Sequence, residues 1–106
     1  MPLFAATREI DAEGQDVLVV TGDVDLATAP EFVAAADAWT ASGRQGTVRL
    51  DLSGVTFLDS TGISALLEIR RAAVDAGNDV LVVARSNTVS RVLALAGIAE
   101  LFAADS

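Results

Sequence analysis

The chain has 106 residues, 52% of them apolar, and carries a net charge of −8 with a pI of about 4.1. This length fits one domain with one hydrophobic core, and the acidity argues against nucleic acid and anionic membrane surfaces as partners. The sequence contains no Cys, no His and no Lys, because all seven basic residues are Arg. These absences exclude disulfides, thiolate metal sites, the usual serine-triad base and Schiff-base chemistry.

The N-terminal stretch MPLFAATREI is too short and too polar for a secretory signal peptide. Apolar runs elsewhere stay well below the roughly 20 residues that a membrane span needs. Together with the missing Cys, these features predict a cytoplasmic protein.

The first part of the chain predicts an antiparallel hairpin followed by a helix. Residues 3–10 alternate weakly, as in an edge strand, and residues 17–20 (VLVV) indicate a more buried second strand. The short link DAEGQD between them favours a hairpin. Thr28 and Glu31 fit an S/T-x-x-E capping box, so we expect a helix that begins near Thr28 and ends at Gly43.

The second part predicts alternating strands and helices. We expect a strand over residues 47–52 and a loop (SGVTFLD) over 53–59, followed by a helix over 61–76. A strand over 79–84 and a last helix over 86–96 are expected next. The two helices each end before a Gly, at Gly77 and Gly97, and Ser86 or Asn87 is expected to cap the last one.

This order predicts an α/β domain with a mixed sheet of about four strands and helices packed on it. Strands that alternate with helices of this length form β-α-β units, which are right-handed in nearly all proteins. We therefore expect residues 1–106 to form one domain, with an edge strand over 3–10 and a core over 17–102.

Two predicted loops place acidic and hydroxyl side chains after neighbouring strands. One loop holds Asp23 and Asp25, and the other holds Asp59, Ser60 and Thr61. Loops that follow parallel strands gather at one end of the sheet, so we expect these residues to share a rim. An Asp-x-Asp after a strand also begins the aspartyl phosphotransferase motif, which leaves a small phosphotransfer enzyme as an alternative. The missing Lys argues against it, and we expect no enzyme, no metal and no cofactor.

Ser60 has three interpretations from the residues alone. The pattern alone favours Ser60 as the N-cap of the following helix, although Asp59 suits the same role. As a nucleophile it would lack a His or Lys base. As a modified residue it would carry its phosphate at a helix N-terminus, which accommodates anions, and Gly62 would let the backbone come close. The added charge beside Asp25 and Asp59 would then alter the binding of a partner.

The helix after Ser60 is apolar over an unusually wide arc. Its expected core face is Leu66, Ile69 and Ala73, and the arc extends sideways through Ile63, Leu67, Arg70 and Val74. Ile63 and Leu67 either pack against neighbouring elements or form an exposed docking strip beside Ser60, and the pattern leaves both open. The stem of Arg70 can lie along this arc with its charge in water.

Three stretches resemble the anti-sigma factor antagonists of the STAS superfamily, namely VTGDVDLATAPEF, LDLSGVTFLDSTGISALLEIRRAA and SNTVSRVLALAGIAELF. The similarity runs from about Val17 to Phe102 in the expected order. The GDVDLAT and DSTG segments at this separation are more specific together than either is alone. The resemblance implies a STAS fold and a phosphorylation-gated binding module.

The resemblance also implies particular roles. In that family the Ser of the D-S-[ST]-G motif, here Ser60, is phosphorylated by an anti-sigma factor that is itself an ATP-dependent serine kinase. The unphosphorylated antagonist binds this kinase and frees the sigma factor, and a serine phosphatase resets the phosphorylated form. The switch environment would be Asp25, Asp59, Thr61 and Gly62. We expect the partner to contact Ile63, Leu67, Asp23 and Arg70.

A second role within the superfamily stays open. STAS modules also act as scaffolds or regulators in stress-signalling assemblies and as cytoplasmic tails of anion transporters. A large multimer would indicate the stress-signalling type, and a monomer of about 11 kDa would favour the antagonist. We expect the monomer.

Overall fold

Four strands and three α-helices follow one another in the predicted order in a computed structural model that describes residues 3–42 and 45–103. The elements are β1 (Ala5–Ile10), β2 (Asp16–Val24), α1 (Ala29–Ala41), β3 (Thr47–Leu58), α2 (Ser60–Asp75), β4 (Asp79–Arg85), α3 (Asn87–Ala96) and a short 3₁₀ helix at Ala99–Phe102. The expected helix stop at Gly43 lies outside the described residues.

The sheet has the order β1-β2-β3-β4 and is mixed, as predicted. β1 pairs antiparallel with β2, whereas β3 pairs parallel with β2 on one side and with β4 on the other. The hairpin between β1 and β2 is held by Asp11, whose carboxylate accepts hydrogen bonds of 2.9 Å from the N–H groups of Glu13 and Gln15. An Asp that binds its own turn in this way fixes the short link, which explains the edge hairpin.

The core lies on one face of the sheet. Alternate residues of β2 and β3 are buried there, and helices α1, α2 and α3 add the large buried side chains of Phe32, Leu66 and Leu93. The opposite face is less buried and of mixed character, with Thr21, Asp23, Arg49 and Asp51 beside the valines Val19 and Val83. Within residues 3–42 and 45–103, no helix has the length and hydropathy to cross a membrane.

Both central strands are longer than predicted. Residues 53–58, expected as a loop, continue β3, and residues 21–24, expected to begin a loop, continue β2. The two extensions pair with each other from Thr21↔Gly54 to Val24↔Leu58. The pairing passes from Val19↔Asp51 to Thr21↔Gly54, so β3 carries one extra residue there. Ser53 and Gly54, at the start of the expected loop, therefore mark a β-bulge within the strand.

The predicted capping box at α1 is wrong. Thr28 occupies the N-cap position but makes no side-chain cap hydrogen bond. Its hydroxyl instead donates to the Asp23 carbonyl oxygen at 2.8 Å and accepts from the Asp25 N–H at 3.0 Å. A hydroxyl committed to the preceding turn is not available to the first turn of the helix. At α3 the expected cap does form, because Ser86 accepts from the Val89 N–H at 3.2 Å.

Candidate functional site

The carboxyl ends of β2 and β3 meet at one rim. The last pair in their register is Val24↔Leu58, and the Asp59 N–H donates to the Val24 carbonyl oxygen at 3.4 Å. Asp25 and Asp59 therefore follow directly from neighbouring strand ends. Two loops far apart in sequence begin beside each other because the extended strands end in register.

Asp59, and not Ser60, caps helix α2. Its Oδ1 accepts hydrogen bonds from the Thr61 N–H at 2.9 Å and the Gly62 N–H at 3.1 Å. Ser60 is the first residue of the helix and is exposed, and its hydroxyl makes no hydrogen bond with the described part of the chain. Thr61 is half-buried. The cap and the free hydroxyl are thus on two adjacent residues.

Gly62 is buried against the strand ends. A Cβ at this position would collide with the Leu58 side chain and lie 3.0 Å from the Val24 carbonyl oxygen. The missing side chain therefore lets the first turn of α2 pack closely on β2 and β3. The sequence suggested a different reason, access of a ligand to the backbone.

The turn that follows β2 is organised by Asp25. Its Oδ1 accepts from the N–H groups of Ala27 at 3.0 Å and Thr28 at 3.2 Å. The turn leaves Leu26 exposed over 76% of its surface. Because the hydrogen bonds on both sides fix the backbone, this leucine is held at the surface by the fold.

Asp23 lies at the same end of the molecule but within β2. It faces away from the core, and its Oδ1 accepts a hydrogen bond of 2.8 Å from the Thr56 hydroxyl on β3. Ser60 begins a helix that packs on the core face. The two side chains therefore approach the rim from opposite sides of the sheet. In the described ranges, no three Asp, Glu, His or Cys side chains cluster as ligands for a metal ion.

The predicted strip on α2 is partly exposed. Leu67 and Val74 expose 38% and 46% of their surfaces, and Ile63 is half-buried. Arg70 lines a separate depression with Thr47, Asp79 and Glu100. Thr47 and Asp79 begin their strands, so Arg70 lies towards the opposite end of the sheet from Ser60. Arg70 lies ten positions after Ser60 in α2, a distance of about 15 Å along the helix axis.

A groove between α1 and α2 was not predicted. It has a volume of about 420 Å³ and is lined by Leu26, Ala29, Pro30, Val33, Thr61, Ser64, Ala65 and Glu68. The sequence carried one signal for it, since a leucine between polar turn residues is typical of an exposed apolar contact. The groove itself arises from the packing of two helices that are distant in sequence.

Comparison with known proteins identifies the family. A family model described as "Mlab, STAS domain" matches residues 9–103. A solved anti-sigma factor antagonist from Mycobacterium paratuberculosis is 30% identical, with a TM-score of 0.75, over 94% of this chain and 83% of that one. The resemblance stated from the sequence is therefore confirmed.

Two further structures share the fold. The Bacillus cell fate determinant SpoIIAA in its phosphorylated form is 19% identical, with a TM-score of 0.68, over 96% of this chain and 91% of that one. The anti-sigma factor antagonist SpoIIAA in its unphosphorylated form is 20% identical, with a TM-score of 0.75, over 96% of this chain and 88% of that one. With this fold and the match over residues 9–103, the chain belongs to the STAS domain family.

Proposed function

We propose that this domain is an anti-sigma factor antagonist whose binding to a serine-kinase anti-sigma factor is switched off by phosphorylation of Ser60. One observation carries the proposal. Ser60 is an exposed serine at a helix N-terminus whose hydroxyl has no structural task, because Asp59 caps the helix beside it. A residue of this kind can be modified without dismantling the fold.

Ser60 is the better acceptor of the two adjacent hydroxyls. A kinase needs the hydroxyl, and the backbone around it, within reach of its active site. Ser60 is exposed, whereas Thr61 is half-buried. The Thr61 hydroxyl is therefore less accessible to a kinase active site than the Ser60 hydroxyl.

The helix start can hold a phosphate. The N-terminus of α2 carries the positive end of the helix dipole, which favours an anion. The Thr61 and Gly62 N–H groups already donate to the Asp59 carboxylate, so a phosphate on Ser60 would lie beside this cap and remain in contact with water. A phosphate adds about −1.5 to −2 charges at neutral pH. SpoIIAA, which shares this fold, has been solved in phosphorylated and unphosphorylated forms. The phosphate is therefore expected to act on the surface and to leave the fold intact.

The partner surface would include the strip of Ile63 and Leu67. Leu67 lies almost two turns after Ser60 and is exposed, and Ile63 lies between them. An anti-sigma factor that packs apolar groups on this strip would also cover Ser60. Burying an ionised group without a matched partner is strongly unfavourable, so a phosphate there would oppose docking.

The remaining expected contacts would lie at the margin of this surface. Asp23 approaches the rim from the opposite sheet face, and Arg70 lies about 15 Å along α2 from Ser60. ATP would belong to the kinase, and a serine phosphatase would restore the unphosphorylated form. The domain would act as a monomer in the cytoplasm.

The test uses purified anti-sigma factors with a serine-kinase domain, taken from the source genome. Each is incubated with ATP and wild type, Ser60→Ala or Thr61→Val, and the phosphorylated residue is located by peptide fragmentation. We expect phosphate on Ser60 in wild type and in Thr61→Val, and none in Ser60→Ala. Phosphate at full stoichiometry in Ser60→Ala would contradict the site.

Binding is tested with a matched pair of charge variants. Ser60→Glu and Asn87→Glu each place a carboxylate on the exposed first residue of a helix, α2 and α3 respectively. We expect Ser60→Glu to weaken binding of the kinase and Asn87→Glu to leave it unchanged. Equal affinity of both variants and wild type would mean that Ser60 does not face the partner.

A further inference from the structure

The groove between α1 and α2 is apolar at its floor. The two helices meet there through Ala29 and Ala65, which are 6% and 5% exposed. Small side chains at a helix contact bring the helices close and leave room above it. Pro30 and Val33 add apolar surface from α1, so the groove can take up an apolar side chain.

Leu26 stands at the edge of this groove in a fixed position. It is 76% exposed, and the Asp25 carboxylate holds its turn through the N–H groups of Ala27 and Thr28. A leucine this exposed gains little stabilisation through burial. Because its backbone is already held by the turn, docking would remove less backbone entropy here than in a flexible loop.

One carboxylate, that of Glu68, lies in the lining of the groove. Asp25 and Asp59 lie next to lining residues in sequence, but their carboxylates accept backbone N–H groups of the turn and of α2. Among residues 3–42 and 45–103, the single ion pair joins Arg8 and Asp16 and does not involve Glu68. The groove therefore combines an apolar floor with one carboxylate that has no ion-pair partner in the described chain.

We propose that this groove docks a segment of the anti-sigma factor that inserts an apolar side chain flanked by Lys or Arg. The proposal rests on the proposed function, because it takes the kinase as the partner. The apolar floor and Leu26 select the inserted side chain, and the Glu68 carboxylate selects the cation beside it.

The groove and the Ile63–Leu67 strip lie on different flanks of α2. Thr61, Ser64 and Glu68 face α1, whereas Ile63 and Leu67 lie on the flank turned away from it. Ser60 begins the helix between the two flanks. A partner that covers both flanks contacts α2 on each side of Ser60. The groove then sets which anti-sigma factor is recognised, and Ser60 sets when it is released.

The test measures the dissociation constant of the kinase for wild type, Leu26→Ser and Leu95→Ser by calorimetry. Leu95 is 82% exposed on α3 and serves as the matched control. We expect Leu26→Ser to raise the dissociation constant about tenfold and Leu95→Ser to leave it unchanged. Unfolding curves followed by Trp39 fluorescence verify that both variants fold, as their exposure predicts.

Charge is tested with Glu68→Gln, against Glu13→Gln in the exposed hairpin turn. We expect Glu68→Gln to weaken binding about twofold to threefold and to reduce its salt dependence, with no effect of Glu13→Gln. If Leu26→Ser and Glu68→Gln both bind the kinase as tightly as wild type, and the kinase still phosphorylates Ser60, the docking proposal is wrong and the proposed function stands. If the kinase does not bind wild type, both the proposed function and the docking proposal are wrong.

Discussion

The carboxylate of Asp59 accepts the amide N–H of Gly62 at 3.1 Å, and with the Thr61 N–H at 2.9 Å this completes the N-cap of α2. Capping the helix and presenting a free hydroxyl are therefore done by two residues, although one serine could have done both. Asp59 accepts the backbone N–H groups of the first turn, and Ser60 keeps an exposed hydroxyl beside it. A modification of Ser60 therefore leaves the cap residue untouched.

Asp59→Ala should destabilise the domain by about 1 kcal/mol, because two amide N–H groups lose their acceptor and the helix dipole loses an anion. Denaturant unfolding followed by Trp39 fluorescence measures the loss. Asp75→Ala at the last residue of α2 is the control, and its stability should be unchanged or slightly raised. Equal stability of Asp59→Ala and wild type would mean that the cap contributes nothing.

Gly62→Ala should destabilise the domain by roughly 1–3 kcal/mol, although alanine has the higher helix propensity. The new Cβ would collide with Leu58 and crowd the Val24 carbonyl oxygen at 3.0 Å, so the helix start must shift. Ser64→Ala is the control, because it introduces alanine at an exposed position of the same helix. It measures the effect of helix propensity alone and should not destabilise the domain. A gain of stability in Gly62→Ala would show that the helix start tolerates a side chain.

Asn78→Ala should destabilise by about 1 kcal/mol, because it removes the hydrogen bond that the Gly46 N–H donates to the Asn78 side chain. Asn78 is 4% exposed, and its Oδ1 accepts from the Gly46 N–H at 2.9 Å, which joins the turn before β4 to the start of β3. Asn87→Ala, at an exposed position on α3, should change stability far less. Similar losses in both variants, read from the same unfolding curves, would argue against this role.

Leu67→Ala should weaken binding of the anti-sigma factor with little change in stability, since 38% of the side chain is exposed. Ile63→Ala should weaken binding as well, but with a larger loss of stability because Ile63 is half-buried. Calorimetric titration and unfolding on the same protein samples separate the two effects. Loss of stability without loss of binding in both variants would place these residues in the core alone.

The sequence predicted the order and type of the elements because apolar periodicity and helix signals are local. It failed where pairing is not local. Thr21-Gly22 and Ser53-Gly54 are typical of turns, yet the two stretches lie side by side in the sheet and extend it. Pairing with a neighbouring strand outweighs the local preference of such residues.

The sequence named candidate site residues, but their local hydrogen bonding could not be predicted from it. Asp59 and Ser60 both suit an N-cap, and only the backbone conformation decides that Asp59 fills it. The hydroxyl of Thr28 was expected to cap α1, but the turn of Asp25 competes for it. Leu26 was a local signal of an exposed apolar contact, but the groove beside it could not be predicted because it depends on how α1 and α2 pack.

The proposed switch is tested by titrating the kinase anti-sigma factor with the unphosphorylated domain and with the same domain phosphorylated at Ser60. Phosphorylation should weaken binding at least about a hundredfold, which corresponds to about 2.7 kcal/mol. The circular dichroism spectrum of both forms should be the same. Equal affinity of the two forms would rule out the switch and leave Ser60 an ordinary exposed serine.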